Sequence, residues 1–110
     1  MNLQIDVADR IDKSVISLSG EVDAYTAPQL KETLLSLTNV EGQQTEVDLE
    51  DVHYMDSTGL GVFISALKST KENNSAMRLV NLQDRVLRLF QITGLDDIMT
   101  IDTAIRGGND

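Results

Sequence analysis

A chain of 110 residues, 41% hydrophobic and 25% charged, has the size and make-up of one folded domain with one core, and is too apolar for a disordered chain. Its 18 acidic against 9 basic residues give a formal net charge of -9, which repels a polyphosphate backbone or an anionic membrane and points to neutral or basic protein partners. The absence of cysteine excludes disulfides, thiolate metal sites and thiol catalysis, and fits a reducing compartment.

From Met1 to Arg10 the charges Asp6, Asp9 and Arg10 interrupt the apolar residues, unlike a signal peptide, and no segment has the apolar length of a membrane span. A cytoplasmic location is expected. Leu3, Ile5 and Val7 alternate with polar residues. Val15, Ile16 and Leu18 follow a polar turn near Ile11 to Ser14, which predicts an opening hairpin. Thr26-Ala27-Pro28-Gln29 combines a threonine cap, a proline in the first turn and a glutamine three residues on. It predicts a helix continued by Leu30, Leu34 and Leu37 and broken over 39–44. Val47 and Leu49 alternate with Glu46 and Asp48 in a third strand running through Val52, Tyr54 and Met55 toward Asp56. A second helix follows at once, with Leu60, Phe63, Ile64 and Leu67 on one face and Asn73-Asn74 as its stop. The remaining elements are a strand over Met77 to Leu82, a helix near Asp84 with Val86, Leu89 and Phe90 inward and Gly94 at its end, and a short strand near Ile98 to Ile101. Gly107 to Asp110 reads as a mobile tail.

Alternating strands and helices imply a largely parallel sheet, and such sheets place binding sites at strand-to-helix turns beyond the carboxyl ends of strands. Two turns qualify: Gly20 to Thr26, and Tyr54 to Gly61. In the second, Asp56 and Ser57 are both able to cap the helix. Gly59 and Gly61 each cost about 1 kcal/mol against alanine in a helix. Either they permit tight packing on the sheet, or they keep a flat surface for another protein beside an exposed Ser57 hydroxyl, where a helix start would favour a phosphate.

Tyr54-Met55-Asp56-Ser57-Thr58-Gly59-Leu60-Gly61-Val62 resembles the signature of the anti-sigma factor antagonists, the bacterial STAS-domain proteins. Gly20-Glu21-Val22-Asp23, Tyr25-Thr26-Ala27-Pro28, Arg88-Leu89-Phe90 and Thr93-Gly94-Leu95 extend the resemblance over nearly the whole chain, in order. It implies a single STAS domain over residues 1–110, of α/β class, with a mixed, mostly parallel sheet of four to five strands and helices mainly on one face. It further implies an unphosphorylated form that captures an anti-sigma factor, itself an ATP-dependent serine kinase, and so frees a stress-response sigma factor. Phosphorylation of Ser57 by that kinase would end the capture, and a metal-dependent protein serine phosphatase would reverse it. The partner-binding residues implied are Asp23, Tyr25, Thr26, Asp56, Ser57, Thr58, Gly59, Gly61 and Val62. Catalytic residues, cofactor, metal, nucleic acid and membrane have no part in this expectation.

Other residues have plain readings beside functional ones. Tyr25 is either an exposed contact or a half-buried tyrosine packed on the next helix. His53, four residues before Ser57, suggests a serine-histidine pair, but the chain lacks the Gly-x-Ser-x-Gly elbow, and a structural histidine is expected. Asp48, Glu50 and Asp51 are expected on the wet side of a strand and its turn rather than around a cation. The competing functional classes are a receiver-like domain phosphorylated on Asp48 or Asp56, and a STAS scaffold whose Ser57 is modified by a different kinase.

Overall fold

A computed structural model describes residues 2–102. Strands β1 (Leu3–Asp9) and β2 (Ser14–Val22) form the expected hairpin, paired antiparallel from Leu3 opposite Gly20 to Asp9 opposite Ser14. Helix α1 (Ala27–Thr38) leads to β3 (Gln44–Met55), helix α2 (Ser57–Asn73) to β4 (Ala76–Val80), and helix α3 (Asp84–Ile92) to β5 (Thr100–Asp102). The sheet order follows the chain, β1-β2-β3-β4-β5, and every pair after the hairpin is parallel. Each helix therefore connects two neighbouring parallel strands running the same way, and crossovers of one hand put successive helices side by side on one face. The N-termini of α1 and α2 consequently lie next to each other, beyond the carboxyl ends of β2 and β3.

The core lies between that face and the helices. Ile16, Val47, Leu49 and Leu79 from the strands meet Leu30 and Leu34 of α1, Phe63 of α2 and Phe90 of α3, all fully buried. Phe63 and Phe90 join α2 to α3 edge to face, with ring centroids 5.9 Å apart. Ser17, Ser19 and Arg78, on the other side of the sheet, are exposed, which is the alternation expected of a sheet covered on one face.

Two irregularities shape the carboxyl end of β3. Between Ser17 and Glu21 of β2, the partner strand β3 carries two extra residues, one before Asp51 and one before Tyr54. Each is a bulge that turns the following side chains, and Asp48 Oδ1 steadies the first by accepting the N–H of Glu50 at 2.9 Å. Strict alternation over β3 thus gives way beyond Leu49, where Val52 and Met55 are buried while Glu50, Asp51, His53 and Tyr54 face water.

Three sequence expectations are corrected. Thr26 stands at the cap position of α1, but its side chain caps no amide of the first turn, the hydroxyl donating to the Glu21 carbonyl at 2.9 Å instead. Ile64 of α2 is 38% exposed, whereas Val62 and Ala66 are buried, since α2 packs on α1 as well as on the sheet and its buried arc is turned accordingly. The last strand begins at Thr100 rather than Ile98, a single turn of 3-10 helix (Leu95–Asp97) occupying the preceding residues and leaving Ile98 exposed. Helix α2 ends as expected, with Asn74 in the left-handed region at φ 57°. The expected tail over 107–110 lies outside the described residues.

Candidate functional site

The two neighbouring helix starts are built alike. Asp56 Oδ1 accepts the N–H groups of Thr58 (3.0 Å) and Gly59 (3.2 Å), and the Asp56 carbonyl accepts that of Leu60. Asp23 Oδ1 accepts the N–H groups of Tyr25 (2.9 Å) and Thr26 (3.1 Å), and its carbonyl accepts that of Ala27 (2.8 Å). Asp56 thus satisfies two otherwise unpaired amides of the first turn of α2, and Asp23 two amides of the turn that leads into α1, each setting a negative charge near a helix's positive end. Of the two sequence alternatives for the α2 cap, Asp56 or Ser57, the structure selects Asp56, while at α1 Thr26 stands at the cap position without a side-chain cap bond and the Asp23 carboxylate holds the turn that leads into it. The two turns are adjacent, because Val22 pairs with Met55 and the Asp56 N–H donates to the Val22 carbonyl at 3.2 Å.

With Asp56 as the cap, Ser57 becomes the first residue of α2. Its side chain is exposed, as is that of Thr58. The residue that follows Asp23 in the same way is Ala24, which has no hydroxyl. Chemically, the site offers one accessible primary alcohol at a helix start, beside a carboxylate that already occupies the two nearest amides.

The two glycines have different reasons. A Cβ on Gly59 would lie 2.7 Å from both Val22 Cγ1 and Met55 Cγ, so glycine is what lets the first turn of α2 settle on the strand ends. A Cβ on Gly61 would meet nothing within 4 Å. Packing thus explains the first glycine and not the second. Gly61 instead opens on a shallow groove of about 390 Å³ between α1 and α2, whose walls include Ala24, Ala27, Pro28, Thr58 and Val62.

The expected partner-binding residues divide by exposure. Tyr25 (85% exposed), Ser57, Thr58 and Gly61 face water and Asp56 is half-buried. The half-buried reading of Tyr25 is thereby corrected. Asp23 (5% exposed), Thr26 (6%), Gly59 and Val62 (5%) are buried, so they build the surface rather than present themselves on it. Asp23 Oδ2 is buried with no hydrogen-bond partner among the described residues, an arrangement that costs free energy and ties that carboxylate to the shape of the loop.

His53 does not approach Ser57 as a base. Its Nε2 lies 2.8 Å from Glu21 Oε2, and it is exposed on the strand. The Asn2 N–H at 3.1 Å and His53 together hold the Glu21 carboxyl below the usual carboxylate range. Glu21 so fastens the start of the chain and the bulged end of β3 to the strand that carries Asp23, a second layer of support that the motif alone did not single out. Asp48 serves the β3 bulge and accepts from Asn81 Nδ2 at 3.2 Å. Among the described residues, no group of three or more His, Asp or Glu side chains is arranged to hold a metal ion.

Comparison with known proteins agrees with this architecture. A profile of the STAS domain matches residues 2–107. The chain is 43% identical over 108 residues to the anti-sigma-B factor antagonist of Bacillus subtilis, covering 98% of each chain. It is 49% identical over 102 residues to the anti-sigma-B factor antagonist of Listeria monocytogenes, covering 92% of this chain and 90% of that one. The crystal structure of an anti-sigma factor antagonist from Mycobacterium paratuberculosis superposes with a TM-score of 0.83 at 24% identity, over 94% of this chain and 88% of that one, which shows the shared fold. The profile and these relatives cover nearly the whole chain, which therefore belongs to the STAS-domain family, alongside the anti-sigma-B factor antagonists.

Proposed function

We propose that the protein is an anti-sigma factor antagonist that works by binding and not by catalysis. Its unphosphorylated form captures an anti-sigma factor that is also a serine kinase, which frees a stress-response sigma factor in the cytoplasm. Phosphorylation of the Ser57 hydroxyl by that kinase ends the capture, and a metal-dependent protein serine phosphatase restores it. The observation that carries this reading is an exposed hydroxyl at the first residue of α2, next in sequence to the groove-lining Thr58, in a chain whose relatives are named for antagonising anti-sigma-B factor.

Two routes exist from phosphate to release, and magnitudes separate them. Interaction of a charge with a helix start is worth about 0.3–1 kcal/mol, and at most about 2. Asp56 already holds the Thr58 and Gly59 amides, so a phosphate on Ser57 adds an anion beside an anion and gains less still. Helix α2 is anchored along its length by Leu60, Phe63 and Ala66, all buried, and a change of that size leaves it folded. Burying an unpartnered charge in an interface costs about 3–5 kcal/mol, which is a loss of more than a hundredfold in affinity. The phosphate therefore acts by exclusion: the fold stays and docking fails.

Incubation with the anti-sigma factor and ATP, followed by mapping of the modified residue, tests the site. In binding assays Ser57→Ala should capture the partner persistently and Ser57→Asp weakly. Equal binding by the two variants, or modification at another residue, would remove the basis for the switch. A melted α2 in the phosphorylated protein, seen as lost helical ellipticity, would replace exclusion with refolding.

A further inference from the structure

Resting on the proposed capture of an anti-sigma factor, we infer that Lys31 is a specificity-determining residue, which reads a carboxylate on the partner segment that fills the groove between α1 and α2. Lys31 is the one charged residue lining that groove among the described residues, the remaining walls being small and neutral, as at Gly61 and Ser65. It is exposed and forms no ion pair among the described residues. Its helical neighbours three and four positions away, Ala27, Pro28, Leu34 and Leu35, offer no acid. In a chain of net charge -9, an unneutralised cation in an otherwise neutral groove reverses the local preference. Elsewhere a basic partner surface is attracted, and here it is repelled.

Asp56 lies outside the groove's lining, two residues before the lining residue Thr58. A bound segment is thus offered a negative group at one point and a positive one at another. Such a pair fixes direction and register more than it adds affinity, and it excludes segments of the wrong polarity. The occupant is an otherwise uncharged segment of the anti-sigma factor, with small side chains against Gly61 and one Asp or Glu reaching Lys31. A partner with a neutral or basic residue at that point would be captured poorly even if its site for Ser57 were intact.

The test measures capture of the anti-sigma factor by the wild type, Lys31→Arg, Lys31→Gln and Lys31→Glu at about 50 mM and about 500 mM salt, where charge effects are weakly and strongly screened. Lys31→Glu should bind about tenfold or more weaker at low salt and recover toward wild type at high salt, with Lys31→Gln between and Lys31→Arg close to wild type. In the kinase reaction Lys31→Glu should raise KM for the antagonist with kcat unchanged. Unfolding midpoints should not move, since Lys31 is exposed. Wild-type affinity for Lys31→Glu, or a loss equal at both salt concentrations, overturns the inference while leaving capture itself intact. Failure of the wild type to bind the anti-sigma factor at all would instead overturn the function on which the inference rests.

Discussion

Replacing Gly61 and Gly59 by alanine, one at a time, should move stability in opposite directions, although the two positions are two residues apart on one helix. At Gly61 the backbone is helical, and the added methyl meets nothing within 4 Å. The variant gains the helix propensity of alanine, about 0.8–1 kcal/mol, partly through a less flexible unfolded chain. With an unfolding entropy of about 2.1 cal/mol/K per residue, a 110-residue chain gains about 4 °C in Tm for each 1 kcal/mol. At Gly59 the methyl would come within 2.7 Å of Val22 Cγ1 and Met55 Cγ, both on buried residues at the ends of β2 and β3. Overpacking of this kind costs about 1–3 kcal/mol, more than the propensity gain, and Tm should fall. Thermal unfolding followed by circular dichroism reads both. The more stable Gly61→Ala should nevertheless capture the anti-sigma factor about tenfold more weakly, because one methyl in a close-packed interface costs about 1–3 kcal/mol. A Gly61→Ala protein that melts lower than wild type refutes the assignment of open space at that position. One that melts higher and binds equally well refutes the groove as the docking surface.

Three further outcomes are expected. Asp56→Ala should lower stability by about 1 kcal/mol through loss of the α2 cap, with Asp56→Asn nearer wild type because an amide oxygen still accepts, as urea unfolding would show. Equal loss in both would mean that charge at the helix start, not the hydrogen bonds, carries the cap. Glu46 accepts from Arg78 at 2.7 Å and Lys13 at 3.0 Å, which hold its carboxyl below the usual range. A lowered folded-state value means stability that is present above about pH 4.3 and lost as pH falls through the folded value. Wild type should accordingly be more stable than Glu46→Gln at neutral pH, and the gap between their urea midpoints should close in acid; a gap that persists would show the pairs to be inert. Finally, moving the hydroxyl to the sister turn, with Ala24→Ser in a Ser57→Ala background, should abolish phosphate transfer by the anti-sigma factor kinase. Labelling at position 24 would mean that a capped helix start suffices for the kinase and that the groove contributes nothing.

Much of the fold was legible from period and punctuation. Leu3, Ile5 and Val7 announced β1, Leu30 and Leu34 the buried side of α1, and Asn73-Asn74 the end of α2, because each signal is local. Features made by two elements together were not. The bulges of β3 exist only relative to β2, so the shift of burial to Val52 and Met55 could not be read from alternating residues. The contact of α2 with α1 turned its buried side toward Val62 and Ala66 and left Ile64 outside. At the site, the motif located Ser57 and the two turns. The different reasons for Gly59 and Gly61 depend on what lies across from each, which only the packed structure supplies. Thr26 with Pro28 two residues on marks the cap position of α1, whereas the Asp23 carboxylate acts through a turn that precedes the regular helix and carries no such local signal.

The open groove raises the question of what keeps α1 and α2 together when their first turns present a gap to solvent. The answer lies at their other ends. The Thr38 hydroxyl at the end of α1 donates to Ser69 Oγ of α2 at 2.9 Å, and Ser69 Oγ donates to Asn39 Oδ1 at 2.6 Å. Beyond α2, Ser75 Oγ donates to the Thr38 carbonyl at 2.7 Å, while within its last turn Asn73 Nδ2 donates to the Ser69 carbonyl at 2.8 Å. Thr38 and Ser69 are buried, and buried hydroxyls satisfied in such a network hold their neighbours in one geometry. Polar groups are thus buried at the end of the helix pair away from the groove. Glycine, exposed tyrosine and an uncovered hydroxyl are gathered at the end that is proposed to contact one. Because the helices are fixed to each other at one end, the groove at the other can stay open without loss of register, and a partner meets a surface whose shape is already set before it docks.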